Sequence, residues 1–109
     1  MVAHGYSTRV IAGREIILDD EEFLVNPEDW TREIALELAQ DAGLDTLTDQ
    51  HWKIIHFIRD FYIQEGRSPL HKELRSSTGI TMMEIERLFP GGIRHGARRL
   101  AGLPNPKMC

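Results

Sequence analysis

The single cysteine of this 109-residue chain is Cys109, and it stands just beyond Gly102, Pro104 and Pro106. A thiolate can attack a sulfur–sulfur bond, hold the sulfur it gains and give it up to another thiol. The residues before it shape how that thiol would be presented. Each proline fixes φ and removes a backbone donor, so the run 100–109 cannot continue a helix. The pattern predicts a glycine stop at Gly102 followed by an extended, rather stiff and mobile arm over 102–109. A thiol at the tip of such an arm can enter the active site of another protein. One cysteine cannot close an internal disulfide, so its chemistry is intermolecular, including a Cys109–Cys109 dimer under oxidation. The plain alternative is a frayed chain end with an incidental thiol.

Charge is divided unevenly around this candidate. Residues 1–50 carry three Lys/Arg against twelve Asp/Glu, a net of −9, while residues 51–109 carry ten against five, a net of +5. From Arg87 onward there is no acidic side chain. Arg94, His95, Arg98, Arg99 and Lys107 are the basic residues nearest the arm. Arg94 and Arg98 are four apart, as are His95 and Arg99, which predicts a basic helix face for electrostatic docking of a partner. Cations close to a thiol also favour its thiolate. On an exposed arm the effect is small, since two unit charges ~4 Å apart in water interact by about 1 kcal/mol. The thiol is therefore expected to be only mildly perturbed, and to be activated mostly in the partner's site.

The elements that must position the arm read as a mostly α protein (α+β), one domain over 1–109 with residues 1–7 flexible. Val10-Ile11 and Ile16-Ile17-Leu18 flank Ala12-Gly13 and predict a hairpin, too small to stand without helices beneath it. Asp19-Asp20-Glu21-Glu22 reads as a solvated acidic turn. A first helix is expected from near Asn26, with Pro27 at its start, to Gly43, burying Trp30, Ile34 and Leu38. A second, from about Thr48 to Glu65, is the most apolar, with Trp52, Ile55, Ile58 and Tyr62 on one stripe. A third begins at Ser68-Pro69 and ends before Gly79, with Leu70 and Leu74 inward. A fourth starts at the capping box Thr81–Glu84 and stops at Phe89-Pro90, with Met82 and Met83 as core filling. A fifth runs from roughly Gly92 to Ala101.

Other chemistries find little support. His51 and His56 are five apart and lack a carboxylate or thiol cluster, so no metal site is expected. Gly91, Gly92 and Gly96 are followed by no Lys-Ser/Thr and preceded by no strand, so they read as turn and packing residues rather than a phosphate loop. No cofactor is implied. Nothing is apolar for long enough to cross a bilayer, and no secretory leader is visible, which points to the cytoplasm. The third and fourth helices have the lengths of a helix-turn-helix DNA reader. The fourth, however, offers Glu84 and Glu86 against Arg87, which phosphate would repel, so direct nucleic-acid binding is not expected.

Asn26-Pro27-Glu28-Asp29-Trp30, His51-Trp52, Arg59-Asp60-Phe61-Tyr62, Leu88-Phe89-Pro90 and Ala101-Gly102-Leu103-Pro104-Asn105-Pro106 with a trailing Cys109 resemble, in this order, the DsrC/TusE family. The resemblance implies an N-terminal β-hairpin on about five helices, a helix-turn-helix-like part, and a C-terminal arm whose cysteine carries persulfide sulfur. TusE-type members relay sulfur from an upstream donor complex to the enzyme that thiolates the wobble uridine of certain tRNAs. DsrC-type members work with dissimilatory sulfite reductase and use a second cysteine upstream. The arm cysteine carries over to Cys109. The second would fall at Arg98, so two-thiol chemistry within one chain is absent and a one-thiol relay is what the resemblance implies. The other readings are a helix-turn-helix regulator and a non-catalytic partner of a sulfite reductase-like complex.

Overall fold

A computed structural model describes residues 6–105, so Pro106, Lys107 and Cys109 lie outside the described residues. Strands β1 (Ser7–Ile11) and β2 (Arg14–Leu18) pair antiparallel, with Arg9 opposite Ile16 and Ile11 opposite Arg14. Ser7, expected to lie in a flexible segment, is thus part of the sheet. Ala12 and Gly13 both have positive φ, the geometry of a two-residue hairpin turn that follows the natural strand twist. Alternation puts Ile11, Ile16 and Leu18 inward and leaves Val10 and Ile17 to solvent.

Five helices follow. α1 is Arg32–Asp41, α2 Asp49–Glu65, α3 His71–Thr78, α4 Met82–Leu88 and α5 Gly92–Arg98. One core joins the inward face of the hairpin to Ile34 and Leu38 of α1, Ile54, Ile55 and Ile58 of α2, Leu74 of α3, Ile85 of α4, and Ala97 and Leu100. Burial of each large aliphatic side chain is worth roughly 1.5–3 kcal/mol, which is what holds a lone hairpin on this surface. α2 is capped by Thr48 and ends at a left-handed Gly66. The buried His51 ties it to α4. Nδ1 accepts the Thr48 N–H at 3.0 Å, which places the ring proton on Nε2 for donation to the Leu88 carbonyl at 2.7 Å.

Four local expectations give way to tertiary contacts. The first helix does not begin at Asn26. Pro27–Asp29 form a separate 3₁₀ turn, Asn26 makes no side-chain cap, Trp30 is extended, and Thr31 caps α1 instead. Trp30 leaves the helix because its indole is used at the end of α5. The third helix starts at His71 rather than Ser68-Pro69, with Leu70 extended and its N–H held by the Glu73 carboxylate at 2.7 Å. Leu70 therefore points outward, 56% exposed, not into the core. Met83 is likewise outside, 74% exposed, while Met82 packs at the core's edge. Finally, α5 is a π-helix from Gly92 to Arg98. Gly96 permits this, since a Cβ there would come within 2.7 Å of the Phe89 Cβ and 2.9 Å of the Pro90 carbonyl.

Candidate functional site

The site is built around the way the chain leaves α5. Trp30 donates its indole N–H to the Leu100 carbonyl at 2.7 Å. Arg59, on α2, donates to the Ala101 carbonyl at 3.1 Å and to the Pro27 carbonyl at 2.8 Å. Its guanidinium also stacks over the Trp30 ring, 4.6 Å from the centroid. Burial lowers the pKa of Arg59, yet a guanidinium stays charged. Two donors from two distant elements thus satisfy carbonyls that the end of a helix leaves open. Gly102 then turns the chain with φ +78, and any Cβ there would overlap the Trp30 indole. Only glycine meets both conditions.

The chain does not leave the body at Gly102. Leu103 is fully buried, and Asn105 is buried and held from two sides. Its amide donates to Asp19 at 3.0 Å and accepts from Arg94 at 3.2 Å. The expected arm is therefore part of the packed structure as far as Asn105, because the acidic turn supplies a partner there. Pro104 is half-buried beside it.

That acidic turn also corrects the expected basic face. Asp19 closes the turn on itself by accepting the N–H groups of Glu21 and Phe23. Glu21 pairs with His95 at 2.8 Å and approaches Arg94 at 3.9 Å. Arg99, only 8% exposed, donates from Nε to the His95 carbonyl at 2.8 Å and lies 3.7 Å from Glu22. Burial lowers the Arg99 pKa, and Glu22 opposes that shift. Arg94, His95 and Arg99 consequently bind the protein to itself. Arg98 differs. It is half-buried, its pKa is lowered by burial and then by Arg94, and its side chain makes no hydrogen bond or ion pair among the described residues, while its carbonyl accepts from the Leu103 N–H at 3.3 Å. It lines a groove of about 460 Å³ shared with Tyr62, Ser68, Leu103, Pro104 and Asn105.

Sequence reasoning placed Trp30 only in a helical core stripe and assigned no site role to Arg59, Asp19 or Asn105. The signal for Arg59 was a cation set among Ile58, Phe61 and Tyr62 on the most apolar helix. For Asp19 and Asn105 there was none, since 86 residues separate them. Among the described residues no group of His, Cys, Asp and Glu could hold a metal ion. No described helix is long and apolar enough to cross a membrane.

A family model described as "DsrC like protein" matches residues 10–109. The chain belongs to the DsrC-like family. Among its relatives, the dissimilatory-type sulfite reductase subunit gamma of Nitratidesulfovibrio vulgaris is 34% identical, with 89% of this chain and 92% of that protein covered. Sulfurtransferase TusE of Photorhabdus laumondii is 38% identical, over 92% of this chain and 96% of TusE. The crystal structure of the oxidized gamma-subunit of dissimilatory sulfite reductase (DsrC) from Archaeoglobus fulgidus superimposes with a TM-score of 0.85 at 34% identity, covering 94% of this chain and 99% of that one. The hairpin-on-helices architecture of this DsrC-like chain is therefore that of its solved relatives.

Proposed function

We propose that this protein is a one-thiol sulfur carrier, acting in the cytoplasm between a persulfide donor protein and an acceptor protein. The observation that carries the reading is that the DsrC-like match runs through to Cys109, directly after the clamped exit at Leu100–Asn105. The Cys109 thiolate attacks the outer sulfur of a donor persulfide. A Cys109 S–S bond forms, the donor's S–S bond breaks, and the donor thiolate leaves. An acceptor thiolate then attacks the outer sulfur of the Cys109 persulfide, and the Cys109 thiolate is released. No external oxidant or reductant is consumed. Arg98, and Lys107 on the arm itself, supply positive charge toward the thiolate. Gly102, Pro104 and Pro106 set the direction in which it is presented. Delivery toward tRNA thiolation fits the TusE relatives.

Intact-mass spectrometry of wild type and Cys109→Ser after exposure to a persulfide donor tests the reading. A gain of one sulfur on wild type alone, reversed by reductant, is expected. No gain with any donor would refute it. The names of the sulfite reductase relatives favour a second reading, a docking subunit with an idle thiol. In that case Cys109→Ser would bind and serve the complex as wild type does.

A further inference from the structure

Arg98 stands at the seam of two grooves. One, of about 460 Å³, is floored by the chain exit at Leu103–Asn105. The other, of about 420 Å³, lies between Pro69, Leu70, His71 and Lys72. A third, of about 390 Å³, continues from His71 and Lys72 to Arg75, Met82 and Met83. Shared lining residues make them one furrow, running from the exit across α3 to α4. Its character is consistent along its length. Arg98, Lys72 and Arg75 make no ion pair among the described residues, whereas Arg67 is held by Glu73 at 3.0 Å. Leu70 and Met83 are the most exposed apolar side chains on α3 and α4 and their flanks.

We propose that this furrow docks an extended, acidic segment of the protein with which Cys109 exchanges sulfur, with a carboxylate on Arg98 and apolar side chains on Leu70 and Met83. The proposal rests on the carrier reading and adds where the partner sits. A half-buried guanidinium has lost part of its hydration, and with no acidic partner among the described residues that cost can be recovered when an external anion arrives. Its planar fork fits a carboxylate through two parallel bonds. The apolar walls favour a peptide over a free oxyanion. Position also fits, since the furrow's floor is the exit itself. Cys109 is four positions beyond Asn105, a reach of at most ~14 Å, so a partner seated here receives the thiol locally.

The test is fluorescence anisotropy with the full chain and a labelled octapeptide of alternating Asp and Leu, beside the same peptide with Asn for Asp. The Asp peptide is expected to bind, and the Asn peptide to bind about tenfold more weakly, as for loss of a charge-assisted bidentate contact. Arg98→Gln should weaken the Asp peptide by a similar factor and Arg98→Lys by less. The exposed Lys72→Gln, which cannot disturb the core, should weaken it roughly threefold, and Cys109→Ser should not change it. Equal binding of the two peptides, or unchanged binding by Arg98→Gln, would overturn the proposal. So would displacement of the peptide by low-millimolar sulfate, which would mark a free-oxyanion site, or stronger binding of a short DNA duplex at the same salt. Failure of the carrier reading is separable. It appears in the mass spectrum as no sulfur gain on wild type, with the anisotropy unaffected.

Discussion

The two sides of α5 handle the same kind of residue in opposite ways. On one side Arg94, His95 and Arg99 meet Glu21, Glu22 and the Asn105 amide, and their charge is consumed in fastening the helix and the chain exit to the hairpin. Arg98 instead faces a furrow that no described acidic residue lines, the nearest carboxylate on its rim, Glu73, being held by Arg67. The contrast teaches that a cluster of basic residues in sequence is not a basic surface. Acidic residues some 70 positions away cancel part of it, and what remains after cancellation is where an outside anion can act. A buried or half-buried charge that is paired contributes to order, while one that is unpaired is a cost until something binds.

The contrast can be broken or sharpened by experiment. The largest effect is expected at the exit itself. Gly102→Ala must place a Cβ into the Trp30 indole at a positive φ, and should cost about 3 kcal/mol or more in urea unfolding. A loss under 1 kcal/mol would mean that the exit is not held as described. Trp30→Phe keeps an aromatic ring but leaves the Leu100 carbonyl without its donor, for which about 1–2 kcal/mol is expected. Next come the two sides of α5 compared directly. Asn105→Ala, on the fastened side, should lose about 1–2 kcal/mol because Asp19 and Arg94 both lose a partner. Arg98→Gln, on the unpaired side, should stay within about 0.5 kcal/mol of wild type. Equal costs for the pair would erase the distinction.

The smallest effect belongs to the furrow's rim. Arg67 and the Leu70 N–H hold the Glu73 carboxyl down at about 2. Its folded pKa is below its unfolded value, so its stabilisation is present above the ordinary carboxylate range and is lost as pH falls toward about 2. Carbon-13 NMR titration of the Glu73 carboxyl should give this low midpoint, and Arg67→Gln should raise it. An unshifted Glu73 in wild type would show that Arg67 is as free as Arg98, and the furrow would carry one more unpaired cation.

Much of the fold was legible because local rules and the global fold agree. The Ala12-Gly13 turn, the start of α2 at Thr48, the Thr81 cap and the apolar stripe of α2 each depend on residues within one turn or one strand pair. Errors gathered where a residue's role depends on something distant. Trp30 was read as a helical core residue because its four-residue spacing from Ile34 and Leu38 is correct. Its hydrogen bond to residue 100 then pulls it out of the helix. Leu70 and Met83 were read inward on apolarity alone, and the capping geometry of Glu73 and the packing of α4 turned them outward. The acidic turn was read as solvated because nothing nearby pairs with it.

By itself the sequence determined the hairpin, the number of helices, the starts of α2 and α4, and the placing of a lone thiol after a glycine–proline run. These follow from backbone sterics, side-chain period and local hydrogen bonding, all short-ranged along the chain. Only the tertiary structure decided which cations are spent and which are free, how far the C-terminal run stays packed, and which donors hold its exit. Those outcomes turn on pairings such as Asp19 with Asn105 and Trp30 with Leu100. Coulombic and hydrogen-bond energies depend on distance in space, and separation along the chain does not report it.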